Sequence, residues 1–141
     1  MRVHQETVEI ATLGRGHTNV TERVAAVVRA SGVDVGLCTV FVQHTSASLV
    51  IQENADPAVL RDLDSWLGDL APASRRWEHD DEGADDMPAH ARAAITHTSQ
   101  TIPVTAGRLG LGTWQGIYLW EHRARSHRRR LVVHVAGLGT R

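Results

Sequence analysis

The chain of 141 residues has no lysine, one cysteine and no long apolar run. All fifteen basic residues are arginine, so Schiff-base formation and nucleophilic attack by lysine are excluded. The single cysteine, Cys38, can form neither an internal disulfide nor a cysteine-based zinc site, and its apolar neighbours predict a buried strand position. No apolar stretch approaches the roughly 20 residues that span a bilayer, and the N-terminus has no apolar signal region. We therefore expect a cytoplasmic protein with no membrane partner.

An excess of charge of either sign is also absent. Acidic and basic residues number 16 and 15, a net charge of −1, so no global field attracts nucleic acid. The arginine-rich run at 123–130 has no interleaved aromatic residues, which favours a solvated hairpin loop over a nucleic-acid surface. Arginine at the base of such a loop is also suited to hold a phosphate through two hydrogen bonds. We expect no nucleic-acid partner.

Histidine is plentiful by contrast. Nine are present, and a neutral imidazole is both a metal ligand and an acid or base near neutral pH. Which of them are functional depends on the elements that carry them. Residues 17–22 offer several N-cap side chains for a first helix, and Gly32 is its predicted C-cap. Residues 107–112 predict a glycine-rich turn.

Hydrophobic periodicity predicts the order β-α-β-β-α-loop-α-β-β-β within one domain that spans all 141 residues. This order indicates the α+β class, with a mainly antiparallel sheet and about three helices. The nearly continuous apolar run 36–43 predicts a strand buried on both faces, and residues 113–122 predict a strand of alternating character. Pro57 and Pro88 mark helix starts. The polar segment 73–87 predicts a long irregular stretch, a common place for function.

Polar clusters lie at the ends of these predicted elements. The run HTSAS at 44–48 follows a buried strand, and its serines are either nucleophiles or hydroxyls that bind backbone or phosphate. Asp56 either caps the second helix or contributes to a site. Glycines on both sides of the Trp114–Gln115 pair predict close approach of the backbone to another group. Glu121 and His122 are neighbours on a strand, so they point to opposite faces.

The block HDDEGADDMPAH at 79–90 combines a dense run of carboxylates with two imidazoles. Such a density repels itself unless it is solvated or neutralised by a cation. Oxygen ligands suit Mg²⁺ or Ca²⁺, and histidine shifts the preference toward Zn²⁺ or Mn²⁺. His90 and His97 are seven residues apart and share a helix face if that helix runs two turns. The alternatives are a metal site and a solvated acidic loop.

Taken in order, these blocks resemble the YjbQ family of small bacterial and archaeal proteins. The matching segments are QHTSASL (43–49), QENADP (52–57), HDDEGADDMPAH (79–90), IPV (102–104), GRLGLGTWQGIYLWEHR (107–123) and the closing arginines 129 and 130. The match covers nearly the whole chain. Two departures are visible, because the family usually has glycine where this chain has His97, and glycines in the loop that reads RSHR (125–128) here. We therefore expect His97 to be dispensable and this loop to be a variable surface turn.

The resemblance implies an α+β fold, a homotrimer with polar pockets near the subunit contacts, and a small phosphorylated ligand. The associated activity is weak thiamine-phosphate synthesis, in which a hydroxymethylpyrimidine diphosphate is joined to a thiazole phosphate and pyrophosphate is released. A divalent metal ion, Mg or Zn, would neutralise the leaving diphosphate. Alternatives that use the same residues are a metal- or phosphate-ligand-binding trimer without strong catalysis, and a metal-dependent phosphoester hydrolase.

Each motif position receives an expected role from the resemblance together with its chemistry. The positions implied as catalytic are His79, His122, Glu121 and Gln115. The positions implied as metal ligands are His44, His90, Glu82 and Asp86. The positions implied as substrate-binding are Ser46, Glu53, Asp56, Arg123 and Arg130.

Overall fold

A computed structural model describes residues 1–140 of the chain. It contains eight strands and three helices over this range. In chain order they are β1 (Arg2–Ala11), β2 (Gly16–Asn19), α1 (Thr21–Ser31), β3 (Val33–Val42), β4 (Ala47–Glu53), α2 (Pro57–Leu70), α3 (Asp86–Ala94), β5 (Ser99–Thr105), β6 (Arg108–Leu109), β7 (Gln115–Glu121) and β8 (Arg128–Gly139). The predicted α+β class with antiparallel sheets and three helices is confirmed.

The strands form two antiparallel sheets. The larger sheet has the order β1-β8-β3-β5-β6, and the smaller one has the order β2-β7-β4. The inner faces of both sheets meet α1 in one hydrophobic core, in which the larger sheet contributes Val40 and Leu131 and the smaller one Leu49 and Leu119. The opposite face of the smaller sheet packs against α2, where the Trp120 indole donates to Asp64 at 2.9 Å. The helix α2 is therefore an outer layer beyond the smaller sheet.

The ends of α1 and α2 follow from local sequence. Gly32 stands in the left-handed conformation with φ of 68° directly after α1, as the sequence predicts for its C-cap. Pro57 is the first residue of α2, and the Asp56 side chain accepts a hydrogen bond from the Ala58 amide at 2.9 Å. The helix-capping alternative for Asp56 is thus the one that the structure adopts.

Two expectations about burial are wrong, and each fails for the same reason. The strand β3 is buried on one face only, since Val35, Leu37 and Phe41 are 55%, 53% and 45% exposed. The strand β7, expected to alternate, is buried on both faces from Gly116 to Glu121. Burial on the second face depends on which sheet α2 covers, and the apolar pattern of a single strand does not contain that information.

Two strands lie where the sequence predicted none. Residues 17–19, expected as helix-capping positions, belong to β2, which pairs with β7 as an edge strand. Within the expected glycine-rich turn, the two residues of β6 pair with the end of β5. Both strands are too short to show an apolar pattern of their own, so pairing with a neighbouring strand determines their conformation.

The predicted irregular stretch is present between α2 and α3, where residues 71–85 form neither helix nor strand. It carries the acidic and histidine-containing block to the first turn of α3. Of the helices in residues 1–140, none is long and apolar enough to cross a membrane.

Candidate metal centre

Three side chains of the acidic block converge at the start of α3. Asp86 lies in the first turn of α3, and His90 follows one turn later on the same face. His79 approaches from the irregular segment. The Asp86 Oδ2 atom is 2.7 Å from His79 Nε2 and 3.1 Å from His90 Nε2. The three ligand atoms all lie within 4.8 Å of one another, an arrangement that could hold a metal ion.

A backbone carbonyl fixes the tautomer of His90. Its Nδ1 atom is 2.9 Å from the carbonyl oxygen of Thr45, which can only accept a hydrogen bond. Nδ1 therefore carries a proton and donates it to Thr45, and the Nε2 lone pair of the neutral ring faces Asp86. Two lone pairs at 3.1 Å repel unless a cation lies between or beside them, either a proton on Nε2 or a metal ion. A carbonyl that orients a histidine in this way is characteristic of metal-binding histidines.

Arg123 holds the other oxygen of Asp86. Its Nη1 atom donates to Asp86 Oδ1 at 2.7 Å, its Nε to Asp85 Oδ2 at 3.0 Å, and its Nη2 to the Glu82 carbonyl at 3.1 Å. Burial on its own would raise the pKa of Asp86, but the hydrogen bond with His79 and the charge of Arg123 outweigh it and lower that pKa. Asp86 is 5% exposed, and these contacts hold an ionised carboxylate with Oδ2 directed at the two imidazoles.

Behind this group, a buried ion pair supports the segment that contains Thr45. Glu121 is 0% exposed, and Arg129 donates to both of its carboxylate oxygens. Thr12 also donates to Glu121, at 2.8 Å. Burial would raise the pKa of Glu121, but the hydrogen bonds from Arg129 and Thr12 dominate and lower it. Arg129 reaches onward to Ser46 Oγ at 3.0 Å, so the pair anchors the residue next to Thr45.

His44 lies on the other side of this ion pair. Its Nε2 atom accepts a hydrogen bond from the Arg130 amide at 2.8 Å. Burial and the neighbouring charges of Arg129 and Arg130 lower the pKa of His44, so the ring is held neutral. Of the four predicted metal ligands, the structure therefore joins Asp86 and His90 and adds His79, which sequence reasoning had placed among the catalytic residues. His44 and Glu82 lie outside the group, and the Glu82 side chain is exposed.

His122 and Ser48 form a second polar pair. The distance from His122 Nε2 to Ser48 Oγ is 2.8 Å, the spacing of a nucleophile and its base. Both side chains are 0% exposed, and Thr96 Oγ1 lies 2.7 Å from Ser48 Oγ. Burial lowers the pKa of His122 to about 4. The pair is closed to a substrate and serves as a hydrogen-bonded link in the layer between the smaller sheet and α2.

The remaining predicted positions lie elsewhere. Gln115 begins β7, so it is about 20 Å along the strand from Glu121, and its Oε1 accepts from the Gly112 amide at 2.8 Å. The Glu53 carboxylate accepts from the Asp56 amide at 3.2 Å, which makes it part of the α2 cap. Arg130 is exposed, and its backbone amide is the contact with His44.

Sequence reasoning missed the Thr45 carbonyl, Asp85 and Arg129 as parts of this centre. A backbone acceptor has no sequence signal. Asp85 and Asp86 are neighbours in the acidic block, so the sequence does not separate their roles. In the structure Arg123 binds Asp85 through Nε and Asp86 through Nη1.

Comparison with known proteins decides the family. Residues 6–138 match the family model described as UPF0047 protein YjbQ-like. The chain belongs to the YjbQ family. It is 59% identical over 137 residues to a UPF0047 protein of Synechocystis, covering 96% of this chain and 93% of that protein. It is 39% identical over 135 residues to the YjbQ protein of Escherichia coli O157:H7, covering 95% and 98%.

Solved structures of the YjbQ family share the fold. A YjbQ/UPF0047 protein from Clostridium acetobutylicum superposes with a TM-score of 0.83 at 32% identity, covering 94% of this chain and 98% of that one. A protein from Sulfolobus solfataricus, described as YbjQ-like, superposes with a TM-score of 0.84 at 27% identity, covering 96% of this chain and 99% of that one. The chain therefore shares its overall fold with these solved structures.

Proposed function

We propose that His79, Asp86 and His90 hold a divalent transition metal ion and that this ion serves chemistry on a small phosphorylated compound. The observation that carries the proposal is the His90–Asp86 contact, in which a carbonyl-fixed imidazole presents its lone pair to a carboxylate. Two imidazoles and one carboxylate suit Zn²⁺ better than Mg²⁺, which prefers oxygen ligands. Three protein ligands also leave a coordination position open for water or substrate, as catalytic zinc sites do.

A cavity of about 780 Å³ next to His79 is suited to the phosphorylated compound. Its walls combine Arg75, Arg76 and Trp77 with the carboxylates of Glu78, Asp80 and Asp81, so binding of a phosphate there depends on the two arginines together with the bound metal ion. The guanidinium of Arg75 lies 4.7 Å from the centre of the Trp77 ring, and Arg76 is exposed. Guanidinium groups bind phosphate oxygens through paired hydrogen bonds, and an indole offers an apolar face to a heterocycle. Arg123, expected to bind phosphate, is instead committed to Asp85 and Asp86.

The activity that fits these parts best is transfer of a pyrimidinylmethyl group from its diphosphate to a thiazole phosphate, with release of pyrophosphate. This is the thiamine-phosphate synthase reaction that the family resemblance implies. A bound divalent ion would neutralise charge on the departing diphosphate. Arg75 and Arg76 would bind phosphate oxygens, and His79, which lines the cavity, would orient the diphosphate beside Asp86. Hydrolysis of a phosphoester is the second candidate, because the same open position accepts water.

Metal content and activity test this proposal together. We expect purified protein to bind about one Zn²⁺ per chain, and His90→Ala and Asp86→Asn to lower Zn²⁺ affinity by more than tenfold. His97→Ala is the matched control, because the His97 side chain is exposed and only its backbone carbonyl accepts a hydrogen bond within residues 1–140. Thiamine-phosphate formation from the two phosphorylated substrates should fall with metal affinity. Release of inorganic phosphate without transfer would select the hydrolase, and unchanged Zn²⁺ affinity in His90→Ala would contradict the site.

We also propose that the chain self-associates through the outer face of the larger sheet, in the homotrimer that the resemblance implies. Leu37 and Phe41 of β3 are exposed there, beside Leu138 of β8, which is 61% exposed. Contiguous exposed apolar side chains of this kind mark interaction surfaces. Sedimentation analysis should give a trimer that Leu37→Arg dissociates. A monomeric wild-type protein at micromolar concentration would contradict this assembly.

A further inference from the structure

A second cavity lies on the opposite side of α3 from the metal centre. Its volume is about 680 Å³, and it is bounded by α2, the segment before β2, and the side chain of Arg92 from α3. Arg92 follows His90 by two residues, which is about 200° around a helix, so the two side chains leave α3 in nearly opposite directions. None of His79, Asp86 and His90 lines this cavity.

Arg92 is a buried guanidinium without a carboxylate partner. It is 5% exposed, and its Nη2 atom donates to the Ala71 carbonyl at 2.9 Å. Its Nε atom is buried and has no hydrogen-bond partner within residues 1–140. Over the same range no carboxylate oxygen lies within 4.0 Å of this side chain, whereas Arg123 pairs with Asp85 and Asp86, and Arg129 pairs with Glu121. A buried charge in this state is costly to the fold, and an anion in the cavity would compensate it.

The other charges around the cavity leave it positive. Arg15 also lines it and forms an ion pair with Asp64 at 2.9 Å. Asp64 additionally accepts from the Trp120 indole, so both of its oxygens are occupied. Arg61 is exposed at the rim. With Asp69 as the second lining carboxylate, three guanidinium groups face two carboxylates, an excess of one positive charge.

The histidine in the wall does not change this balance. His17 lines the cavity, and burial lowers its pKa to about 4, so it is neutral at pH 7. Its buried Nε2 atom also has no partner within the described part of the chain. Two residues that line the cavity, His17 and Arg92, therefore each have a buried nitrogen without a partner within residues 1–140.

We propose that this cavity is a second binding site, separate from the metal centre, for a small organic phosphate whose oxygens bind Arg92 and Arg61. A guanidinium presents two parallel N–H groups, which match the oxygens of a phosphate. The volume is in the range of ordinary small-molecule sites, about 300–1,000 Å³, and exceeds that of a bare ion. Leu60 and Pro72 in the wall provide apolar contact for the organic part.

Calorimetric titration of the full-length protein with phenyl phosphate tests this site. We expect saturable binding that Arg92→Met weakens by about tenfold or more, since hydrogen bonds to a charged group are lost. Arg61→Met should weaken binding several-fold, and because Arg61 is exposed this variant tests the site without disturbing the fold. Arg125→Met, which removes an exposed arginine from the loop before β8, is the matched control and should leave affinity within twofold.

Two further titrations test whether phenyl phosphate binds at the metal centre instead and whether the site prefers phosphate to other anions. His90→Ala should bind phenyl phosphate with wild-type affinity. Loss of binding in His90→Ala with retention in Arg92→Met would place the anion at the metal centre and overturn the proposal while supporting the metal site. Benzoate carries the same ring with a carboxylate, and equal affinity for benzoate would overturn the assignment to phosphates. Absence of saturable phenyl phosphate binding to the wild-type protein would overturn the site itself.

Discussion

The buried pair of Glu121 and Arg129 provides the sharpest stability prediction. Glu121 is fully buried, and Arg129 is 4% exposed. Arg129→Met removes the guanidinium that donates to both carboxylate oxygens and keeps a side chain of similar length. The substitution leaves an ionised carboxylate in the core with hydrogen bonds from Thr12 and the Arg123 amide only.

Removal of one member of a buried ion pair typically costs about 3–5 kcal/mol, because the remaining charge is desolvated without its partner. We expect a loss of this size in the free energy of unfolding of Arg129→Met at pH 7. Arg128→Met is the control, since the Arg128–Glu9 pair is exposed, with side chains 82% and 52% accessible, and should cost less than about 1 kcal/mol.

The pH dependence distinguishes this mechanism from loss of packing. In the wild-type protein the pKa of Glu121 is lowered, so the stability from the pair is present above the carboxyl's usual pKa and is lost as the pH falls through the lowered value. In Arg129→Met the unpaired buried carboxyl has a raised pKa, and protonation at low pH relieves the penalty. The difference between the two proteins should therefore shrink from pH 7 to pH 4.

Urea unfolding at fixed protein concentration, followed at pH 7 and pH 4, measures both effects. A loss below about 1 kcal/mol at pH 7, or a loss that is the same at both pH values, would refute the assignment of a buried, ionised pair.

Three further predictions use other parts of the fold. Burial lowers the pKa of His122 from 6.5 to about 4, so below pH 6.5 the unfolded chain binds a proton that the folded protein does not. The free energy of unfolding should therefore be about 2 kcal/mol lower at pH 5 than above pH 6.5, and His122→Gln should flatten this slope in unfolding titrations. Gly137→Ala should disrupt the pairing of β3 with β8 and lower the melting temperature by several degrees, since a Cβ there would lie 2.2 Å from the Val35 carbonyl oxygen. Asp56→Ala should cost about 1 kcal/mol in urea unfolding through loss of the α2 cap, and Asp56→Asn, which keeps the cap, should cost less.

Local signals predicted those parts of the fold that depend on a few neighbouring residues. Gly32 ends α1 and Pro57 begins α2 because backbone conformation at these points is limited by the residue itself. The exposed face of β3 was not predictable, since Leu37 and Phe41 are as apolar as core residues and no element within residues 1–140 covers them. Whether an apolar face meets a helix or another subunit is not encoded in one strand.

In the candidate site, too, the residues were predictable from sequence motifs and the long-range contacts were not. The resemblance named Asp86 and His90 as metal ligands, and the structure brings them together because α3 begins at Asp86 and places them one helical turn apart. Arg123 was assigned to phosphate, and the structure commits it to carboxylates, since a guanidinium binds both with the same geometry. The Thr45 carbonyl reaches His90 across 45 positions of the chain, and only the fold brings them together.

The claim that His79, Asp86 and His90 form a metal centre is tested most directly by anomalous diffraction from crystals grown with Zn²⁺. The account predicts one peak per chain, about 2.0–2.2 Å from His79 Nε2, His90 Nε2 and an oxygen of Asp86. A peak held by His44 or by His122, or no peak at this group at saturating Zn²⁺, would contradict it.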